Sequence, residues 1–302
     1  MKFALRDDDL NYFFSPTMIE NNIDDIWDIC PVSMSVIPFV IGNWEENIKL
    51  LEDSTPGDVS KEIIQRISSD RVIYDIAKNH ELVDYIKCKM SEGRVYLTLH
   101  GIHHRNSDSV LPEIKNNYSI SAEFYTSRDL SDSLMRAKSH VEEIFNQNVE
   151  VFTPPQNLYN YIGYRAIERC DMNICAYLPS ARKDINETIR IIGLRNYFNL
   201  IYHKLSNRRS LRIPYGKYMS AGRSKIIEHW ALQPGTSIAA LYADFNKVYS
   251  KGGNFVLSTH SCGFKKRMNG SNYLMGDVLR EFLMYASKKS NIKFVALNEM
   301  FA

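Results

Sequence analysis

Seven short apolar runs, separated by polar stretches with helical spacing, constrain this chain more than any other feature. The runs are MKFALR, CPVSMSVIPFVI, RVYLTLHG, VEVFTPP, NICAYLP, NFVLSTHS and IKFVALNEM. Between them, PTMIENNIDDIWDI, DSVLPEIKNN, SDSLMRAKSHVEEIFNQ, NYIGYRAIERC and GDVLREFLMYASKKS place apolar residues three and four apart. That spacing suits a helix packed on a sheet. Alternation of this kind implies parallel βα units. About seven units point to a closed or nearly closed barrel. An open doubly wound sheet is the competitor, but no dinucleotide-type glycine fingerprint follows the first run. No linker rich in proline, glycine or serine interrupts the chain, so residues 1–302 read as one domain. The stretch 181–230 fits the alternation least well and is expected to be an insertion over one face.

Composition sets the surroundings. With 302 residues, 44% hydrophobic and 24% charged, the chain can bury a sizeable core. A net charge of +2 gives no bulk attraction to a polyanion, so no nucleic-acid partner is expected. The five cysteines show no CxxC spacing and read as reduced thiols. Acidic residues arrive by position 7, so the N-terminus lacks the apolar region of a signal peptide. No apolar run approaches the roughly 18 residues of a membrane span. The expectation is a cytoplasmic protein without a membrane span; oligomeric state is not legible.

Four strand ends carry unusual polar residues, and barrel chemistry gathers on the loops that follow strands. The first run ends in RDDDL, Arg6 to Leu10. Strand alternation points Asp7 and Asp9 one way and Asp8 the other, unless the strand end bends. A solvated acidic turn is the plainer reading of the three carboxylates. The third run ends in LHGIHHR, where His100 and His104 are four apart and share one face of a helical turn. Two histidines and a carboxylate form a common ligand set for catalytic zinc. A hydrogen-bonded histidine pair is the plainer reading, and His103 faces elsewhere at that spacing. The fourth run leads into FTPPQN, whose prolines stiffen a loop wall. His260 closes the late run NFVLSTHS.

The order of these motifs resembles the polysaccharide deacetylase superfamily, the NodB homology domain of carbohydrate esterase family 4. The resemblance extends from about residue 3 to 299, and its specificity lies in the order of short motifs at strand ends. It implies a distorted (β/α) barrel of about seven strands and one divalent metal ion, with Zn2+ first among the choices. It also implies roles: Asp8 as general base, Asp9, His100 and His104 as metal ligands, and His260 as general acid. Arg6, Pro155, Gln156 and Asn157 fall on the substrate side of that site. The chain departs from the family pattern in three places. Leu10 follows the aspartate pair where glycine is typical, Thr153 stands where an arginine orients the catalytic aspartate, and Thr259 precedes the late histidine. Arg6 is the candidate for the missing charge.

The residues alone imply metal-assisted hydrolysis of a carbonyl compound. The resemblance adds the substrate: an N-acetylated sugar or related saccharide, anionic or carrier-linked. The basic stretch HKLSNRRSLRIPYGKY offers arginine forks for phosphate or carboxylate, or is a solvated surface. Two other readings stay open: a catalytically inactive carbohydrate-binding relative, and a metal-dependent amide or ester hydrolase with a non-sugar substrate.

Overall fold

A computed structural model describes residues 1–42, 71–104, 122–177, 185–207 and 213–302. The main sheet contains ten strands. They are β1 (Lys2–Leu10), β2 (Val32–Val36), β5 (Val95–Leu99), β6 (Val151–Phe152), β7 (Asn173–Cys175), β8 (Met219–Ala221), β9 (Ser224–Ile227), β10 (Trp230–Ala231), β11 (Phe255–Thr259) and β12 (Lys293–Phe294). A separate hairpin joins β3 (Phe39–Ile41) to β4 (Ile73–Asp75). The order across the main sheet is β10-β11-β1-β2-β5-β6-β7-β9-β8, with β12 also paired to β1. Every pairing in it is parallel except β8 with β9.

The sheet is curled. In a flat sheet with strands about 4.8 Å apart, β1 and β7 would lie roughly 19 Å from each other. Instead, Arg6 on β1 donates from Nη1 to the Cys175 carbonyl on β7 at 2.8 Å. The interior is a small cluster drawn from opposite strands, including Ala4, Val151, Cys175, Ile227 and Val256. The C-terminal turn Leu297–Phe301 plugs it, and its Leu297 N–H donates to Ser33 Oγ at 2.9 Å. Alternation along β1 sends Ala4 to this interior and Phe3 and Leu5 to the helices outside. Phe3 meets Phe255 and Phe294 at centroid distances of 5.8 and 5.1 Å, within the range of favourable ring pairs. The result is a mixed α/β sheet forming an incomplete (β/α) barrel, as the alternation implied. Among the described residues its terminal strands β8 and β10 are not paired with each other.

Seven helices are described: α1 (Pro16–Ile23), α2 (His80–Ser91), α3 (Ser131–Phe145), α4 (Tyr161–Arg169), α5 (Ile185–Ser206), α6 (Ile238–Ser250) and α7 (Met275–Ser287). Their starts carry local signals. Ser15 caps α1 by accepting from the Met18 N–H, with Pro16 at the first helical position. Asn79, Asn160 and Ser237 cap α2, α4 and α6 in the same way. The apolar faces of α1, α3, α4 and α7 agree with the expected segments. The expected helix DSVLPEIKNN lies outside the described residues. Helices α2, α5 and α6, strand β4 and strands β8 to β10 go beyond the expected runs and segments. Strands β8 to β10 are two to four residues long, too short to show a period. No helix among the described residues is long and apolar enough to cross a membrane.

Candidate metal and catalytic site

Parallel register brings the predicted residues to one edge of the sheet. Asp7 pairs with Thr259, Val36 with Leu99, and Leu99 with Phe152. The next residues along these strands are therefore neighbours: Asp8 and Asp9 after β1's last pair with β11, His100 after β5, Thr153 after β6 and His260 after β11. This is the C-terminal edge, where barrel sites gather.

Simple alternation does not survive at the end of β1. Its pairing with β2 shifts register between Asp7 and Leu10, and Asp9 adopts a left-handed φ of 75°. Such a bulge re-aims side chains. The three adjacent carboxylates then find three different environments. Asp7 accepts from the Ser261 N–H and the Ser261 hydroxyl, both at 2.7 Å, and so ties β1 to the loop that carries His260. Burial pushes the Asp7 carboxyl well above its usual value, against those two hydrogen bonds. Asp8 accepts from Arg6 Nη2 at 2.6 Å. Burial would raise Asp8 as well, but Arg6, His100 and His260 prevail and hold it at about 2. For Asp9, burial is likewise overruled, by His104, His100 and His260, and its carboxyl lies well below the usual range.

Asp9, His100 and His104 are all buried and form a cluster in which one ligand atom from each lies within 4.8 Å of the others. Asp9 Oδ1 is 3.1 Å from His100 Nε2 and 3.3 Å from His104 Nε2. Despite this proximity and its burial, Oδ1 accepts no well-aligned hydrogen bond from any described residue. Nitrogen and oxygen ligands at about 2.0–2.1 Å from a tetrahedral ion stand about 3.3 Å apart. The cluster has that spacing, so the residues fit a divalent ion. The far side of His100 supports this. Its Nδ1 donates to the Thr153 carbonyl at 2.7 Å, so the neutral ring that a metal requires would present its Nε2 lone pair toward Asp9. Thr153 thus contributes through its main chain at the position where the family pattern has arginine. His103 turns away and donates from Nδ1 to the Phe39 carbonyl at 2.7 Å.

His260 is partly exposed, with Nε2 3.6 Å from Asp9 Oδ2. It therefore stands at the mouth of the cluster, while Arg6 and Asp8 form its floor. The Pro-Pro loop closes another side. Gln156 and Asn157 both have left-handed φ values, 56° and 55°. Asn157 Oδ1 accepts from Arg6 Nη2 at 3.3 Å and from His229 Nε2 at 2.8 Å. Pro155 is buried beside Gly101.

Two residues join the site without a sequence signal read for them. His229, after β9, accepts at Nδ1 from the Ser258 hydroxyl at 2.6 Å while its Nε2–H serves Asn157. Burial, reinforced by Arg6, holds its pKa well below the usual value, so it is neutral. Tyr177 stacks on it at 4.4 Å. Its sequence context, an apolar strand running into Glu228-His229-Trp230, is the same strand-end pattern that marked His100 and His260. Glu123 lies in an irregular segment and carries no such mark. Its carboxylate accepts three consecutive backbone N–H groups, from Ile102 (2.9 Å), His103 (2.9 Å) and His104 (3.2 Å). Burial raises its pKa to about 7 against these bonds. His104 itself has a φ of 65°, which is uncommon outside glycine. Glu123 holds that turn.

No protein-family model matches the sequence, and no curated protein is similar to it. Solved structures are similar in fold. A Mycobacterium smegmatis protein provisionally assigned as a polysaccharide deacetylase aligns over 99% of this chain and 88% of its own, at 10% identity and a TM-score of 0.52. A family 4 acetyl xylan esterase from Clostridium thermocellum, in complex with a cobalt ion, aligns over 100% and 90% at 10% identity, with a TM-score of 0.42. The Xyl-CE4 domain of a multidomain xylanase from the hindgut metagenome of Trinervitermes trinervoides aligns over 99% and 89% at 11% identity, with a TM-score of 0.41. The likeness to the Mycobacterium smegmatis structure is one of fold alone, and the chemistry rests on the site itself.

Proposed function

We propose that this protein is a metal-dependent hydrolase that removes an acyl group, acetyl first, from an N-acylated saccharide. The observation that carries the reading is one juxtaposition. A cluster of Asp9, His100 and His104 with the spacing for a divalent ion lies beside a carboxylate kept ionised by Arg6, with a partly exposed histidine across from it. A divalent ion, zinc before others, would supply Lewis acidity toward the scissile carbonyl and ease deprotonation of water there.

The chain's own groups supply the rest. Asp8 stays ionised because Arg6 faces it, so it can accept the proton of the attacking water. Arg6 is in turn held by the Cys175 carbonyl and Asn157, which fixes where Asp8 Oδ1 points. His260 is the group at the mouth that can deliver a proton to the departing amine. Asp7, through Ser261, keeps the His260 loop against β1. Gln156 and Asn157 lie on the substrate side, with Pro155 as a wall, while Arg6, expected there from the sequence, is fully buried and acts through Asp8.

Acetate release from a panel of N-acetylated saccharides, including nucleotide-linked and lipid-linked ones, tests the reading. Release by zinc-loaded protein, lost in Asp8→Asn, is expected. A loaded, folded protein that releases no acyl group from any of them contradicts it.

A further inference from the structure

The net charge of +2 conceals a strong local asymmetry. Between Thr188 and Ile227 the sequence carries nine arginines and lysines and no aspartate or glutamate. The rest of the chain holds 28 basic against 35 acidic residues, a balance of −7. Six of the nine cations are within the described residues: Arg190, Arg195, Lys204, Lys217, Arg223 and Lys225, of which Lys204 pairs with Glu228, Arg223 with Asp171, and Lys225 donates to the Phe301 carbonyl.

Helix α5 runs through this basic stretch. It breaks at Gly193, whose φ of 76° and ψ of 161° are not helical. Beyond the break, Leu200 packs into the core. The opposite side is apolar as well. Leu194, Phe198, Tyr202 and Leu205 are exposed by 55, 61, 76 and 67%. Spacings of four, four and three align them in one stripe. Single exposed apolar residues are ordinary, whereas a contiguous stripe marks a surface that meets something. Arg195 is exposed beside it. At the other end of the helix, Tyr202 and Tyr215 border a cavity of about 390 Å³ that is also lined by Lys217 and Lys251.

We infer that this face docks on an anionic lipid surface. The stripe lies in the boundary between headgroups and acyl chains, and the exposed Arg195, with Lys217 and Lys251 beside Tyr202, meets lipid phosphates. Charge selects this occupant. A second copy of the chain would set the same basic stretch against itself, whereas an anionic bilayer complements both the apolar stripe and the cations. The docking face also adjoins the site. Lys204, on the same helix, is 3.4 Å from Glu228. Both line a cavity of about 350 Å³ with His229 and Tyr177. A bilayer held on α5 therefore brings lipid headgroups close to that opening. The inference stands apart from the hydrolase reading, because it needs neither metal nor turnover.

Vesicle flotation of the full chain tests it. The protein should float with vesicles of phosphatidylglycerol and phosphatidylcholine, and not with phosphatidylcholine alone. Salt near 1 M, where the Debye length is about 3 Å, should release much of it. The double variant Phe198→Ser, Tyr202→Ser should lower binding at least about tenfold, since each large apolar side chain contributes when buried. Its melting temperature should match the parent's, because both side chains face solvent. In Phe198→Trp, the added fluorescence should be quenched by brominated acyl chains. Three vesicle results overturn the inference: no binding to anionic vesicles, equal binding to neutral ones, or binding unchanged in the double variant. A dimer by light scattering that the double variant converts to monomer would do so too, by making the stripe a self-association face.

Discussion

Arg6 and Asp8 stand two residues apart on one strand, and the guanidinium of the first donates to the carboxylate of the second at 2.6 Å with both side chains shut off from solvent. Removing one member of such a pair leaves the other charged and buried, which costs about 3–5 kcal/mol. Arg6→Met should therefore destabilise the fold by about that much in denaturant titration. Arg6→Lys should recover part of the stability but not the orientation of Asp8, because a lysine lacks the planar fork. If Arg6→Met melts and turns over like the parent, the pair has neither role.

The same pair sets an acid dependence. The folded pKa of Asp8, about 2, lies below the ordinary aspartate value of about 3.9. A depressed carboxyl contributes stability that is fully present above its unfolded pKa and is lost as pH falls through the folded value. The loss should occupy the window from about pH 4 down to about 2. The stability difference between parent and Asp8→Asn should shrink across that window. A difference independent of pH there would show that Asp8 is not held ionised by its surroundings.

Much of the site was legible because it is built at strand ends. The runs KFALRDDDL, VYLTLH and FVLSTH announce both the strand and the chemical group that closes it. Parallel register then brings Asp9, His100 and His260 together without any further signal. What escaped depends on contacts between distant parts of the chain. Nothing local marks Glu123 as the acceptor for three amides about twenty residues earlier, and its segment has no period. His229 follows a strand of four residues, too short to identify by alternation. The aim of Asp8 and Asp9 depends on a bulge, which slips the very alternation used to read them.

Glu123 is a positioning residue, and its effect should appear in metal affinity rather than in chemistry. Glu123→Gln places an amide N–H2 against backbone donors and loosens the His104 turn. Groups that orient metal ligands typically account for about 10–100-fold in affinity, and a loss of that size is expected in a competitive zinc titration. Gly101→Ala should act in the same direction. Its Cβ would run into Glu123 Oε2 and sit 2.6 Å from Pro155 Cγ, at a φ of 77°. Unchanged affinity in both variants would remove Glu123 from the account.

His260 should matter according to the leaving group. His260→Ala should spare metal content and slow an amide substrate more than an ester with a good leaving alcohol, because only the amine requires protonation as it departs. Asp7→Asn should mimic it weakly, by loosening the Ser261 tether. Equal losses on amide and ester would argue against His260 as the acid.

The most direct measurement follows acetate release from an N-acetylated saccharide by the parent and by His100→Ala. Each is assayed after complete removal of metal and again after titration with zinc. The account predicts no turnover by the stripped parent, recovery that saturates at one zinc per chain, and neither metal retention nor recovery in His100→Ala. Turnover that persists in the stripped parent, or full zinc occupancy in His100→Ala, would contradict it.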